Sequence, residues 1–340
     1  MKVASAVIGV VLLSYPTVGN AQPPDLPVTV NAVAGQATAS HVSVVQTGPM
    51  TMGIYRISGV DEFVVDILNL TGVPAGYLDW QREPVGIATM DLWFAVAETW
   101  GSGGGVTRGF DLCDLVTGDC SVMPPPASDY SMLYPSNHEG ILTYAAWYDY
   151  YNVPPVMEIW YEDLIFGGGP VWVGYGEEPD MGNGVIAYSH SGDLELYDLG
   201  SGFSLAYSSV LGDISEPTVG GLRVAYSIST ATGSSIGVRS LTQPSVETLI
   251  PTICAEQKGP RVSKDGSKVL FTADDCPPGV KPGLYLTYFK PGALRTYLVE
   301  SDLSAFDRNS YSIGSTTLAY TDVKLQVKYV AIDVTEINKP

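Results

Sequence analysis

The chain has 340 residues, 45% hydrophobic and 16% charged, with 37 Gly and 24 Pro. That apolar fraction fills a sizeable core and excludes bulk disorder, and no Gly-X-Y period marks a collagen-like rod. Acidic side chains outnumber basic ones 36 to 17, a net charge of −19, which argues against nucleic acid as a partner because phosphate binding needs clustered cations.

Residues 1–21 have the pattern of a secretory signal. Lys2 gives a short positive start, Val3 to Leu13 is an apolar run, and Gly19-Asn20-Ala21 ends in a small residue suited to cleavage. The run is too short to span a bilayer, and no later stretch is long enough. No Cys follows the cleavage point, so a lipid anchor is not expected, and residues 22–340 form the predicted mature domain. The alternative for the first 21 residues is a buried N-terminal strand or helix.

Four cysteines follow, Cys113, Cys120, Cys254 and Cys276. An even number behind an export signal favours two disulfides, and sequence proximity alone does not choose among three connectivities. A metal site is the rival, but neither pair has C-x-x-C spacing and no His lies close by.

A short apolar strand centred on an aromatic recurs through the chain. The clearest copies are Ile186-Ala187-Tyr188-Ser189, Val224-Ala225-Tyr226-Ser227, Leu270-Phe271-Thr272 and Leu318-Ala319-Tyr320-Thr321, with weaker ones at Tyr55, Phe94 and Tyr144. The mean spacing of these seven anchors is about 44 residues, the length of one four-stranded propeller blade. Alternating runs such as Leu194 to Tyr197 and Leu284 to Tyr288, broken by Gly, Pro, Asp and Ser, complete each unit. The prediction is an all-β fold with no helical domain.

The stretch Gly259-Pro260-Arg261-Val262-Ser263-Lys264-Asp265-Gly266-Ser267-Lys268-Val269-Leu270-Phe271-Thr272 resembles the WD40-like repeat of TolB-type β-propellers. The resemblance implies that Pro-x-x-Ser-x-Asp-Gly closes the inner hairpin of a blade, where Gly accepts a positive φ. TolB carries an additional α/β domain that nothing here supplies, so the expectation is a TolB-like propeller and not TolB itself. Seven anchors imply seven four-stranded blades; six blades plus a decorated edge is the rival count. The last blade lacks an outer strand, and Leu26 to Val33 is predicted to supply it and close the ring.

With strands counted one to four from the channel outward, the anchor is strand two. Loops between strands two and three then share a face with the loops entering the next blade. Cys254 and Cys276 fall in two such loops of one blade and are expected to pair, while Cys113 and Cys120 flank the turn of an outer hairpin. Three loops are predicted to form a binding face: Glu98 and Trp100 with Gly101 to Gly105; Tyr148, Asp149, Tyr150 and Tyr151; and Tyr175 to Asp180 with Glu177, Glu178 and Asp180. Aromatic faces beside carboxylates stack on sugar rings or grip basic peptides. Residues 22–220 carry 25 acidic and 3 basic side chains, and residues 221–340 carry 11 and 13, an acidic arc facing a near-neutral one.

No catalytic residue is predicted. His41, His138 and His190 lie far apart, no Gly-x-Ser-x-Gly elbow is present, and the glycine runs lack the Lys of a phosphate loop. No cofactor is predicted; calcium at Asp274-Asp275 or at Glu177-Glu178-Asp180 is the one metal considered, without EF-hand spacing. These features predict an exported, periplasmic or extracellular, non-enzymatic propeller that binds a protein or cell-surface component, basic in character, with no membrane span. The alternative is a carbohydrate-binding or carbohydrate-active propeller of lyase type. That alternative needs two or more of the histidines to converge at the channel mouth, yet His138 and His190 are expected on opposite faces.

Overall fold

The computed structural model describes residues 22–27, 30–32, 39–47, 50–57, 63–67, 74–77, 84–100, 108–127, 130–148, 157–290, 293–301, 310–324 and 326–332. Their alternating runs form strands β1 to β28, arranged as seven four-stranded antiparallel sheets. The inner strands are β2 (Ala39–Thr47), β6 (Pro84–Met90), β10 (Tyr130–His138), β14 (Glu177–Gly182), β18 (Asp213–Gly220), β22 (Glu256–Val262) and β26 (Tyr311–Ile313). Each packs against the next, and β2 returns onto β26, so the sheets close into a β-propeller around a central channel.

The predicted anchors occupy second strands: β3 (Met50–Ile57), β7 (Phe94–Trp100), β11 (Ile141–Tyr148), β15 (Val185–His190), β19 (Arg223–Thr230), β23 (Lys268–Asp274) and β27 (Thr317–Thr321). Tyr144, Tyr188, Tyr226, Phe271 and Tyr320 are all buried. In the second blade the position belongs to Val96, fully buried with Phe110 and Tyr144, whereas Phe94 is half-buried two residues earlier. Apolar clusters fill the wedges between neighbouring sheets. Leu270, Leu284 and Leu286 of the sixth blade, for example, meet Tyr311, Leu318 and Tyr320 of the seventh.

Six sheets use consecutive strands, but the seventh runs β1-β28-β27-β26, with β1 (Val30–Ala32) antiparallel to β28 (Val327–Ala331) through Val30↔Val330 and Ala32↔Lys328. The N-terminal strand therefore closes the ring, as predicted. Before reaching it, the chain runs along β25 (Ala293–Glu300) of the sixth blade. The Leu26 amide donates to the Leu298 carbonyl at 2.8 Å, the Leu298 amide donates to the Pro24 carbonyl at 2.9 Å, and Leu26 is buried beneath.

Tight hairpins depend on positive φ. Glu139-Gly140 and Asn183-Gly184 have φ of 53° and 78°, and 51° and 76°, the type I′ pattern whose twist matches the flanking strands. Both disulfides form as expected: Cys113–Cys120 across the hairpin of β8 (Arg108–Asp114) and β9 (Cys120–Met123), and Cys254–Cys276 between two loops of the sixth blade. In the motif that resembles the WD40-like repeat, Lys268 is fully buried. Its ammonium donates to Asp265 at 3.1 Å, Ser267 at 2.6 Å and the Ser315 carbonyl of the next blade at 2.6 Å.

Two anchor tyrosines make opposite use of their hydroxyls. The Tyr226 hydroxyl donates to Glu247 and accepts from Arg239, both at 2.6 Å, while the buried Tyr144 hydroxyl has no hydrogen-bond partner among the described residues. An orphaned buried hydroxyl destabilises, and a paired one stabilises. Tyr226→Phe is expected to cost about 1–3 kcal/mol, and Tyr144→Phe to change stability by less than about 0.5 kcal/mol. Thermal denaturation of both variants tests this; equal losses would mean the two hydroxyls are equivalent.

Candidate functional site

The channel wall is built from a recurring device in the inner strands. Tyr134, Glu178, Glu216 and Gly259 each have φ between 50° and 65° and each precedes a proline, Pro135, Pro179, Pro217 and Pro260. A register shift sits at each one. Proline cannot donate to the ladder, so a bulge accommodates it and re-aims the residues that follow. The glutamates at these bulges tie blades together: Glu178 accepts from the Glu216 amide at 2.7 Å, and Glu216 accepts from the Gly259 amide at 2.8 Å.

One step further along, a second set of bonds crosses between blades. Asp180 accepts from the Val219 amide at 2.8 Å and from the Ser136 hydroxyl, and Ser312 accepts from the Val44 amide at 3.1 Å. Asp91 accepts from the amides of Trp93, Phe94 and Gly140 at 2.7–2.9 Å. The spacing of the four prolines, 44, 38 and 43 residues, matches that of the aromatic anchors. That regularity was the sequence signal for this device, and the single-motif match to Pro260 missed it.

Two cavities result. The first, of about 160 Å³, lies in the channel toward the hairpins that join first and second strands, and its lining includes Asp91, His138, Asp180, Arg261 and Lys264. Burial holds the His138 imidazole below its ordinary value. Exposed Glu139, 3.7 Å away, opposes that, Lys264 adds to it, and Asp180 and Asp91 oppose it. The second, of about 500 Å³, opens on the opposite face between the third, fourth and fifth blades. Tyr175, Glu177, His190 and Asp213 line it, with the hydroxyls of Ser189, Ser191 and Ser215. Tyr175 is half-exposed and meets Trp172 edge-to-face at 5.6 Å. The Ser191-Gly192 turn, with φ of 53° and 83°, is tied to the fifth blade by the Ile214 amide, which donates to the Gly192 carbonyl at 2.8 Å.

The predicted binding face is redrawn by these positions. The supposed loop from Tyr175 to Asp180 is a single residue, Gly176, because the bulge lets β14 begin at Glu177. Glu178 therefore bonds the next blade, Asp180 lines the channel, and of these three carboxylates Glu177 alone lines the open cleft. Glu98 is buried within β7, opposite Phe110, because it lies inside the strand and not in the loop after it. Trp100 ends β7 opposite Arg108, and Tyr148 ends β11 opposite Tyr130. Asp149, Tyr150 and Tyr151 lie outside the described residues. Sequence reasoning overlooked Asp213 as a cleft residue and Arg261 and Lys264 as channel residues.

No family model matches the chain. A search of curated proteins finds no match either. Solved structures do match. An oligogalacturonate lyase in complex with manganese superposes with a TM-score of 0.59 at 14% identity, covering 93% of this chain and 99% of that one. The oligogalacturonate lyase of Vibrio parahaemolyticus gives 0.63 at 11% identity, covering 92% and 96%. TolB from Acinetobacter baumannii gives 0.47 at 11% identity, covering 85% and 78%. At 11–14% identity the two lyase superpositions establish the fold. The expectation of a non-enzymatic protein-binding scaffold is corrected by this: two propellers that superpose with TM-scores above 0.5 are named oligogalacturonate lyases.

The manganese of that relative finds no matching donor set among the described residues, where no three His, Cys, Asp or Glu side chains gather. His138 and His190 stand at opposite ends of the ring, as expected, and the carboxylates of Asp91 and Asp180 are engaged by amide and hydroxyl donors. The sites considered for calcium fare the same way: Asp274 accepts from the Asp275 amide, and Glu178 and Asp180 accept from the Glu216 and Val219 amides of β18 (Asp213–Gly220). No helix among the described residues is long and apolar enough to cross a membrane.

Proposed function

We propose that the chain is an exported, carbohydrate-directed propeller that binds a glycan in the cleft between the third, fourth and fifth blades. The observation that carries this reading is the lining itself. Half-exposed Tyr175 offers a face for a sugar ring, with Glu177, His190, Asp213 and three serine hydroxyls around it to bond hydroxyl groups. The described lining holds two carboxylates and no Lys or Arg, which favours neutral sugars over acidic ones. Two disulfides and the signal-like first 21 residues support export into an oxidising compartment, periplasmic or extracellular.

The lyase names of the solved relatives favour a second reading, glycan cleavage by elimination, in which His190 is the cleft's base. Calorimetry of the protein from residue 22 onward against neutral and acidic polysaccharides tests both readings. Binding that weakens about tenfold in Tyr175→Ala supports the cleft. Absence of binding to any polysaccharide would sink it. Ultraviolet absorbance of an unsaturated product, lost in His190→Gln, would move the assignment to the lyase.

A further inference from the structure

The channel end opposite that cleft has the reverse chemistry. In a chain of net charge −19, residues 221–340 hold 13 of the 17 basic side chains, and two of these, Arg261 and Lys264, border the channel cavity. The acidic side chains in the same lining are already engaged. Asp91 takes three backbone amides, and Asp180 takes the Val219 amide and the Ser136 hydroxyl. Lys264 is exposed at the rim, in the turn after β22, and forms no ion pair with a described residue. His138 faces the same space, and the polar side chains of Ser136, Asn137 and Ser312 complete a lining of hydrogen-bonding groups.

We infer that this end of the channel is a binding site for a small carboxylate-bearing molecule of sugar-acid size, with Lys264 and Arg261 countering its charge and His138 beside it. An engaged carboxylate that accepts amide protons projects less negative potential than a bare one, so the uncommitted charge facing the cavity is that of Lys264. The cavity, about 160 Å³ and open at the rim, admits one such molecule and not a folded partner. The inference does not depend on the glycan cleft, which lies on the other face.

The test uses the imidazole as its reporter. The charged groups around His138 are Glu139, Lys264, Asp180 and Asp91. An anion held beside Lys264 offsets that residue's effect and stabilises the imidazolium, so bound ligand raises the His138 titration midpoint. His138 is followed by NMR, assigned with His138→Gln, while D-glucuronate, neutral D-glucose or inorganic phosphate is added to the protein from residue 22 onward. Glucuronate is expected to raise the midpoint and glucose to leave it unchanged. In Lys264→Ala, compared with its own ligand-free baseline, glucuronate affinity should fall about tenfold. Lys264 is exposed, so the variant keeps the fold, which its thermal transition verifies. The inference is overturned by no shift with glucuronate, by an equal shift with glucose, or by unchanged affinity in Lys264→Ala. Tighter binding of phosphate would overturn the carboxylate assignment. A shift at His190 alone would place the glucuronate in the glycan cleft instead.

Discussion

Arg239→Leu is expected to lower folding stability by about 3–5 kcal/mol, with a fall in Tm on the order of 10 °C. Arg239 and Glu247 are 4% and 2% exposed and lie 3.2 Å apart. The guanidinium also donates to the Tyr226 hydroxyl at 2.6 Å, to the Pro244 carbonyl at 2.8 Å and to the Ser208 carbonyl at 2.8 Å, in the connection from the fourth blade. Removing the cation leaves the Glu247 carboxylate buried with only hydroxyl donors, Tyr226 at 2.6 Å and Ser209 at 3.0 Å. The loss comes from that stranded charge more than from the attraction itself, because the pair gives up hydration on burial. The triple variant Arg239→Leu, Glu247→Leu, Tyr226→Phe should therefore recover much of the stability. Calorimetric unfolding of the single and triple variants decides it: a triple variant as unstable as the single one would mean that geometry, not charge, dominates. Burial and the nearby Glu247 carboxylate also push the Tyr226 hydroxyl well above the ordinary tyrosine range, so it stays a donor at any working pH.

Removal of residues 22–32 should be nearly as damaging, at about 5 kcal/mol. The deletion strips β28 of its outer neighbour, takes the paired amides of Leu26 and Leu298, and empties the site of Leu26 in the cluster between the sixth and seventh blades. A buried Leu contributes about 2–5 kcal/mol and each ladder bond about 0.5–1.5 kcal/mol. The ring would also gain an open sheet edge, a template for pairing with another chain. Size-exclusion chromatography and thermal unfolding of the truncated protein should show a lower, broader transition and larger species. A synthetic peptide spanning residues 22–33 should restore the parent behaviour. A truncated chain that melts within a degree of its parent would show that the closure by β1 contributes little.

The two faces of the ring differ in what they can hold. The cleft between the third, fourth and fifth blades offers an aromatic face with carboxylates and hydroxyls. The opposite end of the channel offers Arg261, Lys264 and His138, whose imidazole burial holds below its ordinary value. Two inner strands serve both: Glu177 and Asp213 to Ser215 line the cleft, Asp180 and Thr218 to Gly220 line the channel, and the bulges before Pro179 and Pro217 lie between them.

The all-β class, the recurring anchor strand, the closing role of the N-terminal strand and both disulfide pairs were legible in the sequence. Each of these rests on local pattern: alternation, period and turn chemistry survive without knowledge of the partner strand. The site was not legible in the same way. Glu98, Glu178 and Asp180 carry identical formal charge in the sequence, yet one is buried in a strand, one ties the fourth blade to the fifth, and one lines the channel. His138 and His190 look equivalent until strand direction sends them to opposite ends of the ring. Which face a residue meets depends on register, and a bulge of one residue reverses it. Only the closed ring of seven sheets fixes that register, by bringing each inner strand against the next.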